Sequence, residues 1–491
     1  MAEMQDLVII GGGSGGFAAA MRSAQLGGKV TVVEEAYYGG NCMNKACIPS
    51  KFLMTAARLM GRIRKAGRFG IQVGEPGLDM DALHDRKDLI IEGLRMGTEQ
   101  LLSDYGITLV EGRGRLVARD MVEVNPPPAP PYEGGGADPP PSPPCEGVRA
   151  GSPRPYNGER IRARNVLIAT GSVPAQMPIE GVDLDGVIGT EEAIELREIP
   201  ARIAILGSKP WDLELAQYFH AMGSEVTLIE SGTQLLPEAD REIAQRLGKL
   251  LHDAGIAIKR SVAAEAIRQG DDDTLIVVLA RGKGEIVADK VLAARRLPNS
   301  AGLGLRELDV KMERGAVLVN EALETSVPHI YAIGDVTAGP MWSHKANAEG
   351  IVAGENAMGL TSKMNYEILP RCLYTWPEVA WVGLTEEQAE AQDIEMEIGK
   401  VPTAINPYAM ILDETAGTIK IIACKKYGKI IGAHVMAPGA VDLINVIAVA
   451  MLSEATVGEL MQFIPMHPSI GEAMVDAAMD VAKRSLHLPK W

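Results

Sequence analysis

A strand, glycine turn, helix and strand pattern occurs twice along this chain and sets its fold class. The first copy runs from Leu7–Ile10 through a glycine turn and a helix over Phe17–Gln25 to a second apolar run, Val30–Val33. The second copy covers Arg202–Glu230, about 195 residues further along. In each copy a helix connects two strands, which is the arrangement of parallel strands in a sheet. The pattern therefore predicts two doubly wound, Rossmann-like nucleotide-binding domains of the α/β class.

The tail of the chain has a different pattern. From about Tyr366, strand patterns at Thr418–Ala423 and Ile430–Val435 alternate with helical patterns at Val441–Leu452 and Gly471–Lys483. This order predicts a separate α+β domain, with enough apolar surface for a dimer interface.

A proline-rich stretch interrupts the first domain. Residues Asn125–Pro155 are dominated by Pro, Gly and small polar residues, which bury too little apolar area to offset the entropy of ordering. We predict an extended, mobile loop between strands near Met121–Val124 and Val166–Ala169. This loop is either an insertion without a binding role or a binding segment. Cys145 within it is predicted to be a free surface thiol.

Composition and charge exclude several classes of function. A net charge of -16 argues against nucleic-acid or anionic-membrane binding, and five cysteines in 491 residues do not form a disulfide scaffold. The start, Met1–Asp6, lacks the features of a signal peptide, and the apolar run around Leu443–Leu452 is too short to span a bilayer. These features predict a cytoplasmic protein with no membrane segment, and no metal site is predicted.

The first glycine turn predicts a dinucleotide site. Gly11, Gly13 and Gly16 form G-x-G-x-x-G between a strand and a helix, where the backbone can approach a pyrophosphate at the positive end of the helix. Glu34 ends the second strand, 18 residues after Gly16, where a carboxylate can accept hydrogen bonds from ribose hydroxyls. The alternative is a tight turn without a ligand.

Two closely spaced cysteines predict redox chemistry. Cys42 and Cys47 lie five positions apart at an apparent helix start, and in a straight helix this spacing spans about 7.5 Å. A disulfide usually needs a Cα separation of about 4.4–6.8 Å, so a bridge requires a distorted turn and would be reducible. A helix start also favours the thiolate. The alternative is a pair of buried structural thiols.

The segment around these cysteines resembles a family signature. Gly39-Gly40-Asn41-Cys42-Met43-Asn44-Lys45-Ala46-Cys47-Ile48-Pro49-Ser50-Lys51 is similar to the GGxCxNxxCIPSK motif of the FAD-dependent (class I) pyridine nucleotide–disulfide oxidoreductases, most closely their dihydrolipoamide dehydrogenase branch. Ala169–Gly171 resembles the ATG turn of that family, and Tyr331–Asp335 resembles its second FAD motif. Gly339–Ala346 is similar to its GPMLAHKA segment. The resemblance covers nearly the whole chain apart from the proline-rich stretch.

The resemblance implies a role for each matching residue. Cys42 would be the thiol that meets the substrate, and Cys47 would be the thiolate beside the flavin. Lys51 would place a cation near flavin N5. The other implied cofactor positions are Gly40, Gly114, Thr170, Gly171, Glu214 beside the flavin lysine, Asp335 on the ribityl chain, and Ser343 through its backbone N–H.

An acid–base pair is implied near the C-terminus. His467 and Glu472 match the HPTxxE motif of the family, with Ser469 in place of Thr. Histidine can take a proton near neutral pH, and the carboxylate would fix its tautomer. In the family this histidine comes from the second subunit, so a homodimer is implied. Without the resemblance, a surface ion pair would be the alternative.

The second nucleotide loop departs from the family pattern. Only Gly207 remains, because Lys209 and Asp212 stand where the second and third glycines belong, and Pro210 removes a backbone donor. Arg295 likewise replaces the glycine of the family's GRxPN turn. Glu230, however, stands where the acidic residue that binds the ribose is expected. The departures predict weak, altered or lost NAD(P) binding. The alternatives are a tolerated degenerate loop, or phosphate bound from a new direction by Arg295 or Lys209.

The function predicted is a dihydrolipoamide dehydrogenase-like dithiol/disulfide oxidoreductase. Electrons would pass from a small dithiol or lipoyl-protein to the Cys42–Cys47 pair, to FAD and then to NAD. The alternatives are a related oxidoreductase that uses another acceptor, such as a protein docking near Trp211 or the proline-rich stretch, and a non-catalytic FAD-holding subunit. The predicted domains are FAD-binding (1–183, with the insertion at about 125–158), NAD-type (184–303), central (304–365) and dimerisation (366–491).

Overall fold

The computed structural model describes residues 4–126, 154–155 and 158–489 of the chain. These residues divide into two compact units. Unit 1 lies within Met1–Ser50, His84–Ala175 and Arg296–Met364, and unit 2 within Lys51–Leu83, Gln176–Arg295 and Asn365–Trp491. Across the described ranges, no helix is both long enough and apolar enough to cross a membrane.

Strands and helices alternate along most of the chain. The strands are β1 (Gln5–Ile10), β2 (Val30–Glu34), β3 (Thr108–Glu111), β4 (Arg113–Ala118), β5 (Met121–Asn125), β6 (Arg154–Pro155), β7 (Glu159–Ile168), β8 (Ser172–Ala175), β9 (Val187–Ile188), β10 (Arg202–Leu206), β11 (Glu225–Glu230), β12 (Ala257–Arg260), β13 (Ala264–Gln269), β14 (Leu275–Leu279), β15 (Glu285–Ala288), β16 (Lys290–Leu292), β17 (Arg295–Pro298), β18 (Met312–Glu313), β19 (Ala316–Val317), β20 (Ile330–Ala332), β21 (Arg371–Leu373), β22 (Glu378–Gly383), β23 (Met396–Pro402), β24 (Thr418–Cys424) and β25 (Ile430–Ala437). The helices are α1 (Ser14–Gln25), α2 (Gly40–Asn44), α3 (Cys47–Arg64), α4 (Met80–Asp104), α5 (Thr190–Glu195), α6 (Pro210–Met222), α7 (Arg241–Asp253), α8 (Ser343–Ala357), α9 (Glu386–Ala391), α10 (Pro407–Ile411), α11 (Ala440–Leu452), α12 (Val457–Gln462) and α13 (Gly471–Val481).

Unit 1 is built on a sheet with the strand order β4-β5-β7-β1-β2-β3-β6, and β20 also pairs with β7. The pairs β1–β2, β1–β7 and β2–β3 are parallel. Strand β1 is buried on both faces, because Leu7 and Ile9 join one apolar cluster while Val8 and Ile10 join another. This is why the strand is an unbroken apolar run in the sequence.

Small residues let α1 and α8 of unit 1 pack closely. A Cβ on Gly350 would lie 2.3 Å from the carbonyl oxygen of Gly15, and one on Gly354 would lie 2.9 Å from that of Ala19. Arg22 and Glu355 join the two helices with an ion pair at 2.7 Å. The close packing fixes the start of α8 against the glycine turn that precedes α1.

Unit 2 contains the second parallel sheet, with the strand order β12-β11-β10-β16-β9. Its central strand β10 places Ile203 and Ile205 in one apolar cluster and Ala204 and Leu206 in another. Together with α6 and α7, this sheet confirms the predicted second Rossmann-like fold.

Unit 2 also contains an antiparallel sheet with the strand order β21-β22-β25-β24-β23. Its apolar residues share a cluster with residues of α11 and α13, such as Ile444, Ile447, Ala477 and Val481. This is the predicted C-terminal α+β fold, and its predicted strands and helices agree with the structure to within a few residues.

The predicted proline-rich loop lies mostly outside the described residues, as does Cys145. Within its predicted bounds, Asn125 instead belongs to β5. Arg154–Pro155 form a two-residue strand that pairs in parallel with β3 at Val110–Glu111. The loop prediction is therefore wrong at these positions, because pairing with an edge strand supplies local order that composition does not reveal.

Candidate active site

The glycine turn between β1 and α1 forms an open cradle. Gly11 has a φ of +107°, and a Cβ on Gly16 would lie 2.0 Å from the carbonyl oxygen of Gly11, so neither position accepts a side chain. Among the described residues outside the turn itself, a Cβ on Gly13 would have only the Gly40 Cα within 4 Å, at 3.8 Å. Helix α1 begins at Ser14, so its first N–H groups and positive dipole end face this turn. The shape and charge fit the pyrophosphate of a dinucleotide such as FAD.

Glu34 closes the cradle at the end of β2. Its carboxylate accepts hydrogen bonds from the backbone N–H of Gly12 at 2.7 Å and of Ala36 at 2.9 Å. Burial raises the pKa of the Glu34 carboxyl, while the backbone donors oppose that shift. Gly114 lies on β4, where a Cβ would be 2.9 Å from Cγ2 of Ile10. The structure thus gives Gly114 a packing reason for its identity.

The two cysteines lie on either side of a helix break. Cys42 lies in the short helix α2, and Lys45, the residue after its last helical residue Asn44, has a non-helical φ of −134° and ψ of −10°. Cys47 begins the 18-residue helix α3. Both cysteines are partly buried. The straight-helix geometry that would keep them too far apart is therefore absent, and the start of α3 favours a thiolate at Cys47.

A polar network in unit 1 joins the cysteine segment to Asp335. The side-chain amide of Asn41 and the guanidinium of Arg296 both donate to the backbone oxygen of Ser172, at 2.9 and 2.8 Å. The Ser172 hydroxyl donates to Oδ2 of Asp335 at 2.7 Å. Sequence reasoning missed Asn41, Ser172 and Arg296, and only their places beside matched motif residues signalled them.

Buried charge fixes the turn that carries Asp335. Oε2 of Glu349 accepts the backbone N–H of Gly334 at 2.7 Å, and Oε1 of Glu349 pairs with Nζ of Lys345 at 3.1 Å. Both charged side chains are almost fully buried, with 2% and 1% exposure. Removing either partner would leave an uncompensated buried charge, so the pair holds the turn in one conformation.

Other predicted cofactor positions in unit 1 lie at turns and helix starts. Gly171 has a φ of +68°, and the Thr170 hydroxyl donates to the backbone oxygen of Asn299 at 2.7 Å. Ser343 is the first residue of α8, and its hydroxyl shares a hydrogen bond with that of Ser14 at 2.7 Å. This hydroxyl pair ties the start of α8 to the glycine turn.

Lys51 and Glu214 form an ion pair within unit 2. Nζ of Lys51 lies 2.6 Å from Oε2 of Glu214, whose carboxylate is only 5% exposed. Oε1 of Glu214 accepts the backbone N–H of Tyr374 at 2.9 Å, and Nζ of Lys51 lies 4.9 Å from the centre of the Tyr374 ring. The ammonium group of Lys51 is therefore positioned by the Glu214 carboxylate and by the Tyr374 ring. Tyr374 was not predicted from the sequence.

His467 and Glu472 also pair within unit 2. Nδ1 of His467 lies 2.9 Å from Oε1 of Glu472, and Oε2 accepts the backbone N–H of Ser469 at 2.9 Å. The hydrogen bond from His467 holds the pKa of the Glu472 carboxyl below its ordinary value. His467 is 74% exposed, beside the exposed apolar residues Ile464 and Met466. An ionised acceptor thus orients an exposed imidazole that lies next to exposed apolar side chains.

A carboxylate from the chain itself occupies the start of α6 in the second nucleotide unit. Oδ2 of Asp212 accepts the backbone N–H of Lys209 at 2.9 Å and lies 2.7 Å from where a Cβ on Gly207 would stand. Burial raises the pKa of the Asp212 carboxyl to about 7. Glu230 is also engaged locally, by the Ser208 hydroxyl at 2.5 Å and the Gly232 N–H at 2.6 Å.

This loop and the first glycine turn therefore differ in whether the start of the helix is open to a ligand. The first turn leaves open space at a helix start, whereas the second fills the corresponding place with Asp212. Arg295 is exposed at the start of β17, and Lys209 is exposed beside the Trp211 ring, 5.1 Å from its centre.

Comparison with known proteins gives consistent matches over almost the full length. The model of the "Pyridine nucleotide-disulphide oxidoreductase" family matches residues 5–350, and that of its dimerisation domain matches residues 369–478. The dihydrolipoyl dehydrogenase of Bacillus subtilis is 34% identical over 99% of this chain and 100% of its own length. That of Thermus scotoductus is 36% identical, with 98% of each chain covered.

Solved structures show the same fold. The HOCl-induced flavoprotein disulfide reductase RclA from Escherichia coli, solved as a Cu(II) complex, has a TM-score of 0.82 and 25% identity, covering 98% of this chain and 100% of that one. LpdA from Mycobacterium tuberculosis has a TM-score of 0.85 at 24% identity, covering 97% of this chain and 99% of that one.

Proposed function

This chain belongs to the pyridine nucleotide–disulphide oxidoreductase family and is a flavoprotein disulfide oxidoreductase, and we propose that it oxidises a small dithiol of the lipoyl type through Cys42 and Cys47. The observation that carries the proposal is the helix break between the two cysteines, with Cys47 at the start of an 18-residue helix. The curated relatives named dihydrolipoyl dehydrogenase support the substrate class.

FAD is the cofactor that the residues of unit 1 fit. Gly11, Gly13 and Gly16 would hold its pyrophosphate, Glu34 a ribose, and Asp335 the ribityl chain. FAD, when bound, supplies a two-electron acceptor. The start of α1 offers N–H groups and a positive dipole end to the phosphates, which the acidic surface of the chain otherwise repels.

The dithiol step balances without any further reactant. In the oxidised enzyme, in which Cys42 and Cys47 form a disulfide, His467 of the second subunit takes one thiol proton, and the resulting thiolate attacks Sγ of Cys42 and breaks that bond. The second substrate sulfur then displaces Cys42 from the mixed disulfide and its proton passes to Cys42. The substrate is oxidised to a disulfide, while the enzyme retains a Cys42 thiol, a protonated His467 and a Cys47 thiolate, which the start of α3 stabilises.

The homodimer is part of the proposal. The C-terminal segment is the dimerisation domain of the family. Ile464 and Met466, which precede His467, are 89% and 81% exposed on a single chain. Burial of these two side chains against a second copy of the chain would contribute hydrophobic free energy to dimer formation. The same contact would shield the imidazole of His467 from water.

Anaerobic mixing with dihydrolipoamide tests the proposed substrate class. We expect the flavin absorbance to change within one turnover and a long-wavelength band to appear, because a thiolate at Cys47 beside oxidised flavin absorbs there. A Cys42→Ser variant with normal FAD content should not respond. A wild-type flavin spectrum that stays unchanged with excess dihydrolipoamide would contradict the proposal.

A second candidate concerns the electron acceptor. The buried Asp212 carboxylate favours an oxidoreductase of the same fold in which NAD(P) binding is weak or lost and another acceptor, such as a partner protein, takes the electrons. The Asp212 side chain stands where the third glycine of a pyrophosphate-binding loop belongs, and its negative charge, which appears as the pH rises through about 7, repels a diphosphate. The few cysteines and the acidic charge fit a cytoplasmic location for either candidate.

Replacing Glu472 with glutamine is expected to lower dithiol turnover by about tenfold or more, with FAD content unchanged. The ionised carboxylate orients His467 and stabilises its protonated form, whereas a neutral amide does neither well. Steady-state oxidation of dihydrolipoamide measures the effect. Glu454→Gln, which breaks a surface pair with Lys429 in the same unit, is the matched control. Equal turnover in the two variants would remove Glu472 from the proposed pair.

A further inference from the structure

The helix that carries Cys42 cannot be stable by itself. Helix α2 has only five residues, and it follows Gly39 and Gly40, whose φ values of 90° and 58° are in the left-handed region. Isolated helices of this length do not form in water, because the entropy lost in ordering the first turn exceeds the free energy gained from its few hydrogen bonds. Its position must therefore be set by contacts from elsewhere in unit 1.

One such contact is the hydrogen bond from Asn41 to Ser172, and helix α4 supplies others through Arg95. Nε and Nη2 of Arg95 both donate to Oδ1 of Asn44, at 3.1 and 3.0 Å. The amide nitrogen of Asn44 donates in turn to the backbone oxygens of Gly40 at 2.9 Å and Tyr38 at 3.2 Å. Asn44, the last residue of α2, thus connects Arg95 to the backbone just before Cys42.

The same guanidinium also stacks on an aromatic ring. Cζ of Arg95 lies 3.8 Å from the centre of the Tyr37 ring. One turn further along α4, the Thr98 hydroxyl lies 3.9 Å from Sδ of Met43, the residue next to Cys42. Only arginine combines a forked pair of donors with a flat cation that can stack on a ring, so lysine cannot replace it here.

We propose that Arg95 is a positioning residue for the redox pair: through Asn44 and Tyr37 it fixes α2, and so keeps Cys42 in place to form its bond with Cys47. The inference rests on the proposed redox role of the two cysteines. When α2 is loosened, the local concentration of the Cys42 sulfur at Cys47 falls, so the disulfide forms less favourably and is more easily reduced.

The thiol–disulfide equilibrium of the pair tests the proposal without turnover. Purified protein is equilibrated in dithiothreitol redox buffers, quenched with an alkylating reagent, and the oxidised fraction is counted by mass spectrometry. For Arg95→Lys and Arg95→Gln we expect the constant for disulfide formation to fall about tenfold, equivalent to about 30 mV. Tyr37→Phe should match the wild type, and Tyr37→Leu should fall between.

Arg86→Gln is the matched control, because Arg86 is an exposed residue of the same helix. FAD content and the melting temperature of each Arg95 variant are compared with those of this control, so that a folding defect is recognised. An unchanged constant in well-folded Arg95 variants overturns the inference alone. A wild-type pair that forms no disulfide in any buffer overturns the proposed function itself.

Discussion

Replacing His467 with alanine is expected to lower dihydrolipoamide turnover by about 10²- to 10⁴-fold while the protein still carries FAD. A positioned general base contributes a factor of this size when it removes a proton from a nucleophile. Thiols ionise only slightly at neutral pH, so the thiolate that attacks Cys42 depends on that base. The residues proposed to hold the pyrophosphate, ribose and ribityl chain of FAD lie in unit 1, whereas His467 lies in unit 2.

The measurement separates chemistry from assembly. Steady-state turnover and anaerobic flavin reduction by dihydrolipoamide are both recorded, and the oligomeric state is checked by light scattering. His487→Ala is the matched control, since His487 is also exposed and lies 3.4 Å from Asp476 in the same unit. Because raising the pH ionises the dithiol without a base, the deficit of His467→Ala should shrink above about pH 9. Near-normal turnover at pH 7 would remove His467 from the mechanism.

Restoring glycines at Lys209 and Asp212 is expected to strengthen NADH binding by about tenfold to a hundredfold. The double variant removes a buried carboxylate from the start of α6 and lets the backbone approach a diphosphate. Each tenfold increase in affinity corresponds to about 1.4 kcal/mol of binding free energy. Removal of one buried repulsive charge can supply that amount. Titration with NADH and the rate of flavin reduction by NADH measure the gain.

The pH dependence gives a second readout of the same carboxylate. Burial raises the pKa of the Asp212 carboxyl to about 7, so its charge appears as the pH rises from about 6 to 8. Wild-type affinity for NADH should therefore fall across that range. Asp212→Asn keeps the size of the side chain without the charge, so it should flatten the decline. Tight NADH binding and rapid flavin reduction in the wild type would contradict the loss of the dinucleotide site.

The local features of this protein could be predicted from its sequence. The apolar run Leu7–Ile10 predicted a buried strand, and β1 is a strand whose residues are buried in two apolar clusters. The spacing of Cys42 and Cys47 predicted a distorted turn, and the helix is broken between them. Such signals depend on residues that are neighbours along the chain, so their geometry follows from backbone sterics and helix periodicity.

The chain by itself thus determined the two Rossmann-like units, the C-terminal α+β fold and the family. Only the tertiary structure decided which side chains support the cysteines and whether the second loop is open. Asn44 and Arg95 are 51 residues apart, and Ser172 and Asp335 are 163 apart. Contacts at such separations depend on how whole helices and sheets pack, because a hydrogen bond needs atoms within about 3 Å and no local pattern in the sequence records that distance.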